Sequence, residues 1–391
     1  MNILFLSGWF PYPANNGTRL RVSALLNGIA RYHDVSLISF GDEHDRDHIG
    51  ELRQVCRDVH VVPYRAYNPT SAHALLSLAN PTPRSIVDTY VPEMAQTIRQ
   101  ALSQHRYHLV IASQQRTAAY AAAFRGVPAI FEELEVGVFA TRRQQATSAL
   151  GRLRGTLTIV KLRQYLQRLL PAFGACTVVS QPERDLLTQF APNYSAVEII
   201  PNCVELARYQ LDPLPTQPAS LIYTGSFTYQ PNYEAMRWFV GDVLPLVKAQ
   251  EPAVHLTITG EHANRPLPPA DNVTLTGMVD NLGPLVARSA IALAPLREGG
   301  GTRLKILEAM ALRTPVIATS KGVEGLEAEH ERHLLIADTA EDFAQAVVRL
   351  LREPGLRDRL AGEAYQLIER KYNWDAVLPG FLTLAETVAR A

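Results

Sequence analysis

Three glycines, two cations and two carboxylates stand close together in Glu298-Gly299-Gly300-Gly301-Thr302-Arg303-Leu304-Lys305-Ile306-Leu307-Glu308. Glycine lets a backbone come close to an anion. The helix that should begin at about Thr302 would turn its unpaired N–H groups and positive end toward the same point. Arg303 and Lys305 can add charge to such a phosphate site. Glu308, about a turn further in, suits two vicinal hydroxyls such as those of a ribose. The bland alternative is a flexible Gly-Gly-Gly turn; the Thr-Arg-Leu-Lys that follows favours the site. Two other clusters invite chemistry. Asn16-Gly17 precedes Arg19 and Arg21 at a helix start, which taken alone reads as an N-cap with exposed arginines. Glu132-Glu133-Leu134-Glu135 follows an apolar run and reads as acid–base or ligand-binding carboxylates, or as surface charge. His44, Asp45, Asp47 and His48 read as a solvated turn rather than a metal site, since no further ligand converges nearby.

These residues need strands to hold them. Apolar runs at 2–7, 35–40, 59–63, 108–112, 127–131 and 175–180 alternate with helical patterns, and 197–200 leads into Pro201-Asn202. Continuously apolar strands between helices predict a parallel sheet covered on both faces. Pro213, Pro215 and Pro218 then make a stiff connector, placing a domain boundary at about 205. The same logic repeats with strands at 220–224, 254–259, 273–276, 290–294 and 315–319, and with helices at 234–248, 341–352, 356–371 and 374–390. Leu304, Leu307 and Ala311 share one face of the helix after the glycines, which should pack on the second sheet. In open parallel sheets ligands bind beyond the carboxyl ends of strands, where all the candidate clusters fall.

A chain of 391 residues, 47% of them hydrophobic, supports two domains with real cores. Lys and Arg (38) balance Asp and Glu (38), which argues against a dedicated nucleic-acid binder. Cys56, Cys176 and Cys203 are far apart, which fits a reducing compartment without disulfide framework or zinc site. A strand starts at residue 2 without a basic leader, and no apolar run reaches the ~18 residues that span a bilayer. The expected location is cytoplasmic, with the protein soluble or peripheral on the membrane. Residues 136–182 hold no acidic residue, yet carry Arg142, Arg143, Arg152, Arg154, Lys161, Arg163 and Arg168 among leucines. That basic helix (142–168) suits an anionic acceptor or membrane surface; the alternative is a solvated face round an ordinary core stripe.

The 295–312 segment resembles the donor-site motif of family 4 glycosyltransferases, which have the two-domain GT-B architecture. The resemblance runs in order along most of the chain, through Ile200-Pro201-Asn202-Cys203-Val204-Glu205, Tyr223-Thr224-Gly225-Ser226, Pro231-Asn232, Gly277-Met278-Val279-Asp280 and Thr314-Pro315-Val316-Ile317-Ala318-Thr319. It implies an α/β fold of two Rossmann-like domains facing across a cleft. These are an acceptor-side domain (1–204), a nucleotide-sugar domain (205–373) and a helix (374–391) crossing back to the first. It further implies donor contacts at Gly17, Ser226, Asn232, Gly277, Val279, Glu298, Gly300, Gly301, Thr302 and Glu308, with the nucleotide base on the backbone of 277–280. It also makes the stretch from Asn16 to Arg21 a loop facing the donor diphosphate and the acceptor, the alternative to exposed arginines.

The family often carries two glutamates eight positions apart, meeting sugar and ribose. Glu308 fills the second place and Gly300 the first, so the sugar contact falls to backbone, to Glu298 through a shifted loop, or to nothing. Leu134 stands where many members have histidine. Catalysis is assigned to Arg303 and Lys305, which meet the charge on the departing nucleotide diphosphate, with Glu133 and Glu135 as acceptor-side candidates. No Asp-x-Asp motif is present, so neither metal nor cofactor is expected beyond the nucleotide sugar as substrate. By resemblance the transfer retains anomeric configuration, moving a hexose to a glycan or lipid-linked acceptor. Two other readings stay open: a catalytically inactive partner subunit, and a nucleotide-sugar epimerase on the same fold. Lys305 is expected to be a surface charge whose loss leaves the fold intact.

Overall fold

The computed structural model describes residues 1–77, 80–137, 148–212, 214–299 and 303–391. The chain divides into two compact units, Met1–Pro201 with Val377–Ala391, and Asn202–Ala376.

The first unit is built on strands β1 (Asn2–Ser7), β2 (Asp34–Gly41), β3 (Asp58–Pro63), β4 (Leu109–Ser113), β5 (Ala129–Glu132), β6 (Ala175–Val178) and β7 (Val197–Ile199). Their order is β3-β2-β1-β4-β5-β6-β7, every neighbouring pair parallel. β4, β5 and β6 are buried at every residue, as their unbroken apolar runs require. β5 starts two residues later than its apolar run, because Gly126 (φ +91°) and the Val127 N–H to Phe124 carbonyl bond hold a turn there. The helix Gly17–Ala30 is capped by Asn16, whose side chain accepts from the Arg19 N–H at 3.0 Å. It buries Val22, Leu25, Leu26 and Ile29. The last helix, Trp374–Arg390, lays Leu378 against Gly28, where a Cβ would sit 2.5 Å from a leucine methyl. A side chain at Gly28 would push Leu378 aside.

Between β3 and β4 the chain inserts two short helices, Ala72–Leu76 and Arg84–Thr89, ahead of Pro92–Gln104. The buried carboxylate of Asp88 ties this insert together, accepting from the Asn68 N–H at 2.7 Å and from the Ser71 hydroxyl.

The second unit holds β8 (Gln217–Thr224), β9 (His255–Thr259), β10 (Val273–Gly277), β11 (Ser289–Ala294), β12 (Val316–Ala318) and β13 (Leu335–Ile336), ordered β10-β9-β8-β11-β12-β13 and all parallel. Leu221, Tyr223, Leu256 and Ile258 pack with Phe239 and Phe343 on one face. Ile222 and Ala292 pack with Ile306, Leu307 and Met310 on the other. The helix expected over 234–248 runs as Gln230–Trp238, a π-turn Phe239–Val243 and Leu244–Gln250. Pro245 accounts for the irregularity, since its nitrogen cannot continue the helical hydrogen bonds.

In each sheet the strand order reverses beside its first strand, between β1 and β4 and again between β8 and β11. Ligands in such sheets sit at this reversal, outside the carboxyl ends of the strands.

Candidate active site

In the second unit the reversal point is crowded with polar groups. β8 ends in Thr224, and the next residue, Gly225, has φ +155°. A Cβ there would lie 2.8 Å from Asn232 Nδ2 and 2.9 Å from Lys305 Nζ, so the glycine is what lets these side chains converge. Lys305 Nζ donates to Tyr223 OH at 2.8 Å and to Asn232 Oδ1 at 3.0 Å, and lies 4.0 Å from the Tyr223 ring centroid. Tyr223 OH in turn donates to Asn232 Oδ1 at 2.7 Å, and Asn232 Nδ2 to the Ser226 carbonyl at 2.9 Å. Lys305 is therefore no surface charge, contrary to its sequence reading. Its ammonium is held by an aromatic ring, a phenol and an amide, and among the described residues it forms no ion pair with a carboxylate. Burial, and after it the nearby Arg303, pull its pKa down to about 7.

Arg303 stands immediately before the helix Leu304–Ala311, whose start has no side-chain cap. Its side chain is buried; NH2 donates to the carbonyls of Lys321 at 2.8 Å and Gly299 at 3.3 Å, with Glu324 at 3.8 Å. Its Nε is buried and has no hydrogen-bond partner among the described residues. A guanidinium held by carbonyls through NH2, with its Nε–H unpaired, keeps donors for an anion.

Glu308 lies one turn after Lys305, on the same helix face. Its Oε1 accepts from Tyr209 OH at 3.0 Å, and burial raises its pKa, opposed by Tyr209 and Lys305. Glu298 is half-buried and Gly299 (φ +91°) packs against Tyr229 and Pro231. Gly300, Gly301 and Thr302 lie outside the described residues. The Ser226 hydroxyl bonds to Thr228 Oγ1 of its own loop at 2.7 Å and donates to the Glu261 carbonyl, in the loop after β9, at 3.2 Å. Gly277 ends β10 at φ +75° and accepts from the Gly260 N–H at 2.8 Å; Gly260 packs on the Gly225–Ser226 backbone. Val279 follows, half-buried, beside the 77% exposed Met278.

The first unit gathers its own cluster. Arg21, 2% exposed, lies against Glu132 Oε1 at 2.7 Å and Glu133 Oε1 at 3.6 Å, and donates to the Pro201 carbonyl at 3.1 Å. Ser113 Oγ donates to Glu132 Oε2 at 2.7 Å, and Gln114 Nε2 to Glu133 Oε2 at 2.9 Å. Gln114 (φ +70°) and Glu133 (φ +56°) directly follow β4 and β5, and both take the left-handed conformation that costs an ordinary residue energy. Burial raises the pKa of Glu133 and of Glu135; Arg21 opposes this in both. Leu134, at the position read against a family histidine, is buried in the core. Gly17 opens the Gly17–Ala30 helix. The exposed-arginine reading is thus corrected for Arg21, which is the buried counter-charge of two glutamates. Arg19 instead donates to the Tyr12 carbonyl at 3.1 Å and pairs with Asp45 at 3.0 Å.

Comparison with known proteins follows the same division. A family description, "Glycosyl transferase 4-like domain", matches residues 16–203, and "Glycosyl transferases group 1" matches 218–353. A Klebsiella pneumoniae protein, described as an uncharacterized 44.6 kDa protein in the cps region, is 20% identical over 386 residues, covering 95% of this chain and 96% of its own. Sucrose-phosphate synthase from Thermosynechococcus elongatus superposes with TM-score 0.71 at 17% identity, covering 99% of both chains. HepE of Anabaena, solved in complex with UDP, gives TM-score 0.70 at 14% identity over 100% of both chains.

Proposed function

The chain belongs to the group 1, family 4-like glycosyltransferases, and from that premise we propose that it moves a hexose from a nucleotide-diphosphate sugar to a glycan or lipid-linked acceptor, with retention of configuration and without a metal ion. The observation that carries this reading is the pairing of Lys305 with Arg303 at the reversal point of the second sheet. Two cations, one with a buried unpartnered donor, face the place where a pyrophosphate would sit. The hard event in transfer is departure of the nucleoside diphosphate with extra negative charge. Fixed positive donors stabilise that charge most in the transition state, which is the role a divalent ion fills in other enzymes. The Anabaena neighbour solved with UDP supports a nucleoside diphosphate as the ligand class.

In this reading Tyr223 and Asn232 aim Lys305, and Asn232 contributes by positioning rather than by touching the donor. Glu308 takes the ribose hydroxyls on the carboxylate oxygen that Tyr209 leaves available. Ser226, Gly277, Val279, Glu298 and the 300–302 loop complete the donor contacts. Glu133 and Glu135 serve the acceptor side. The test is a panel of UDP-, GDP-, ADP- and dTDP-sugars offered with glycan and lipid-linked acceptors. Nucleoside diphosphate release is followed with and without EDTA, and the product anomer is read by NMR. Release that stops with EDTA would overturn the metal-free mechanism; an inverted product would overturn retention.

Glu308→Ala is expected to weaken nucleoside diphosphate binding roughly 10- to 100-fold, the cost of losing charged hydrogen bonds. Isothermal calorimetry measures this directly, and an unchanged affinity would remove the ribose role.

A peripheral membrane contact belongs to the same proposal. The helix Ala149–Leu169 exposes Leu153, Leu157 and Val160 by 57, 54 and 47%, beside Arg152 and Arg154; Arg142 and Arg143 lie outside the described residues. Apolar side chains among cations suit an anionic bilayer surface. Co-sedimentation with phosphatidylglycerol vesicles should exceed that with phosphatidylcholine and fall with salt, and L153D/L157D should abolish it. Equal binding to both vesicles would contradict this contact. No helix among the described residues is long and apolar enough to cross a membrane.

A further inference from the structure

The first sheet has its own reversal point, and it is hollow. The chain leaving β1 carries Trp9, and the chain leaving β4 carries Gln114, Gln115 and Arg116. Between them opens a cavity of about 250 Å³. Its walls include Trp9, Tyr67, Tyr90 and Tyr120. Trp9, Tyr67 and Tyr90 are each about two-fifths exposed, far more open than aromatic rings in a core. Tyr90 stacks on Tyr120 at 4.6 Å, and Tyr67 and Tyr90 belong to the β3–β4 insert that buried Asp88 pins in place. Flat aromatic faces held ready in this way suit the C–H face of a sugar ring. The size suits a small ligand such as one ring, being just below the ~300 Å³ at which drug-sized pockets begin.

The polar groups in the cavity narrow the choice of ring. Arg116 lies 4.3 Å from the centroid of Tyr64 and 5.8 Å from that of Phe40, and forms no ion pair among the described residues. Its NH1 is buried without a hydrogen-bond partner among those residues, and so is Gln115 Nε2. Buried donors are almost always paired. Arg116 and Gln115 both line the cavity and each keeps one such donor unused by the described residues, so its wall has hydrogen-bonding capacity to spare for an acceptor from outside the chain. A guanidinium beside an amide N–H matches a single carboxylate. Gln114 lines the same cavity and donates to Glu133, joining the pocket to the carboxylate cluster.

We infer that this pocket binds an acidic pyranose of uronic-acid type as the recognised unit of the acceptor, its carboxylate on Arg116 and Gln115 and its ring against the aromatic wall. This deepens the transferase reading and rests on it. The test is NMR and calorimetric titration of the full chain with methyl β-glucuronide, methyl β-glucoside and glucose 6-phosphate, with UDP, GDP, ADP and dTDP titrated into the same preparation. The glucuronide should bind about tenfold or more tightly than the glucoside, as a desolvated charge-assisted pair implies. Arg116→Gln should bring the two to within about twofold of each other, while nucleoside diphosphate affinity stays as in the unaltered protein. Equal binding of glucuronide and glucoside to the unaltered protein would overturn the inference, as would tighter binding of the phosphate. A retained preference in the variant would overturn it too. Failure of UDP, GDP, ADP and dTDP alike to bind the same preparation would instead strike the transferase reading itself.

Discussion

Lys305→Ala should lower transfer about 100- to 1,000-fold, the usual cost of removing one donor aimed at developing charge. The loss belongs mainly in kcat, because that charge is greatest as the leaving group departs. The fold should survive. Tyr223 OH and Asn232 Oδ1 already bond each other at 2.7 Å, so removing the ammonium leaves neither without a partner. A signature in pH accompanies this. The unliganded ammonium titrates at about 7, below its ordinary value, so the folded unit holds fewer protons than the unfolded chain between about pH 7 and 10.5. Stability of the unliganded protein therefore rises with pH across that window. A bound diphosphate favours the charged lysine and reverses the slope. Nucleoside diphosphate affinity should fall as pH rises above 7, by at most about tenfold per unit, with proton uptake on binding. Lys305→Ala should flatten that slope. Near-normal turnover in the variant, or a pH slope that persists, would remove Lys305 from the mechanism.

Arg21→Met should destabilise the first unit by about 3–5 kcal/mol, because it strands two glutamates in a buried site. For a unit of this size that corresponds to a midpoint lower by roughly 6–20 °C. The loss should grow with pH. Glu133 already holds its proton above the ordinary carboxylate range, and without Arg21 it will hold it more firmly. The folded state then binds more protons than the unfolded one, so stability falls as pH rises above about 4.5. Adding Glu132→Gln should restore part of the stability, since a neutral pair needs no counter-charge. Thermal unfolding at pH 5 and pH 8 measures both effects, and a change below about 1 kcal/mol would refute the buried-pair account. Nucleoside diphosphate binding, which the proposed function assigns to the second unit, should be unaffected.

The strands were legible because buried parallel strands are apolar at every position, as 109–113 and 289–294 are. β13 was not, since two residues, Leu335 and Ile336, carry no periodicity. The donor-side cations were found from glycine, arginine and lysine spacing within one loop and helix. Their burial was not, because Tyr223 lies 82 residues before Lys305 and reaches it only through the sheet. Arg21 gave an even choice between cap and ligand group for the same reason: Glu132, its partner, is 111 residues away. The aromatic pocket is not legible in sequence, although Gly8-Trp9 and Gln114-Gln115-Arg116 each lie just after a predicted strand. Joining them required knowing that β1 and β4 are neighbours. The sites on this chain are pairings across a sheet, and local sequence records only one half of each.

The most direct measurement of the central claim is calorimetric titration of UDP, GDP, ADP and dTDP into the protein at pH 7. One nucleoside diphosphate should bind clearly better than the rest, at micromolar to sub-millimolar concentration, and Lys305→Ala should weaken it. If none binds by the millimolar range, the second unit is not a working donor site, and the account of Arg303 and Lys305 as leaving-group cations is wrong.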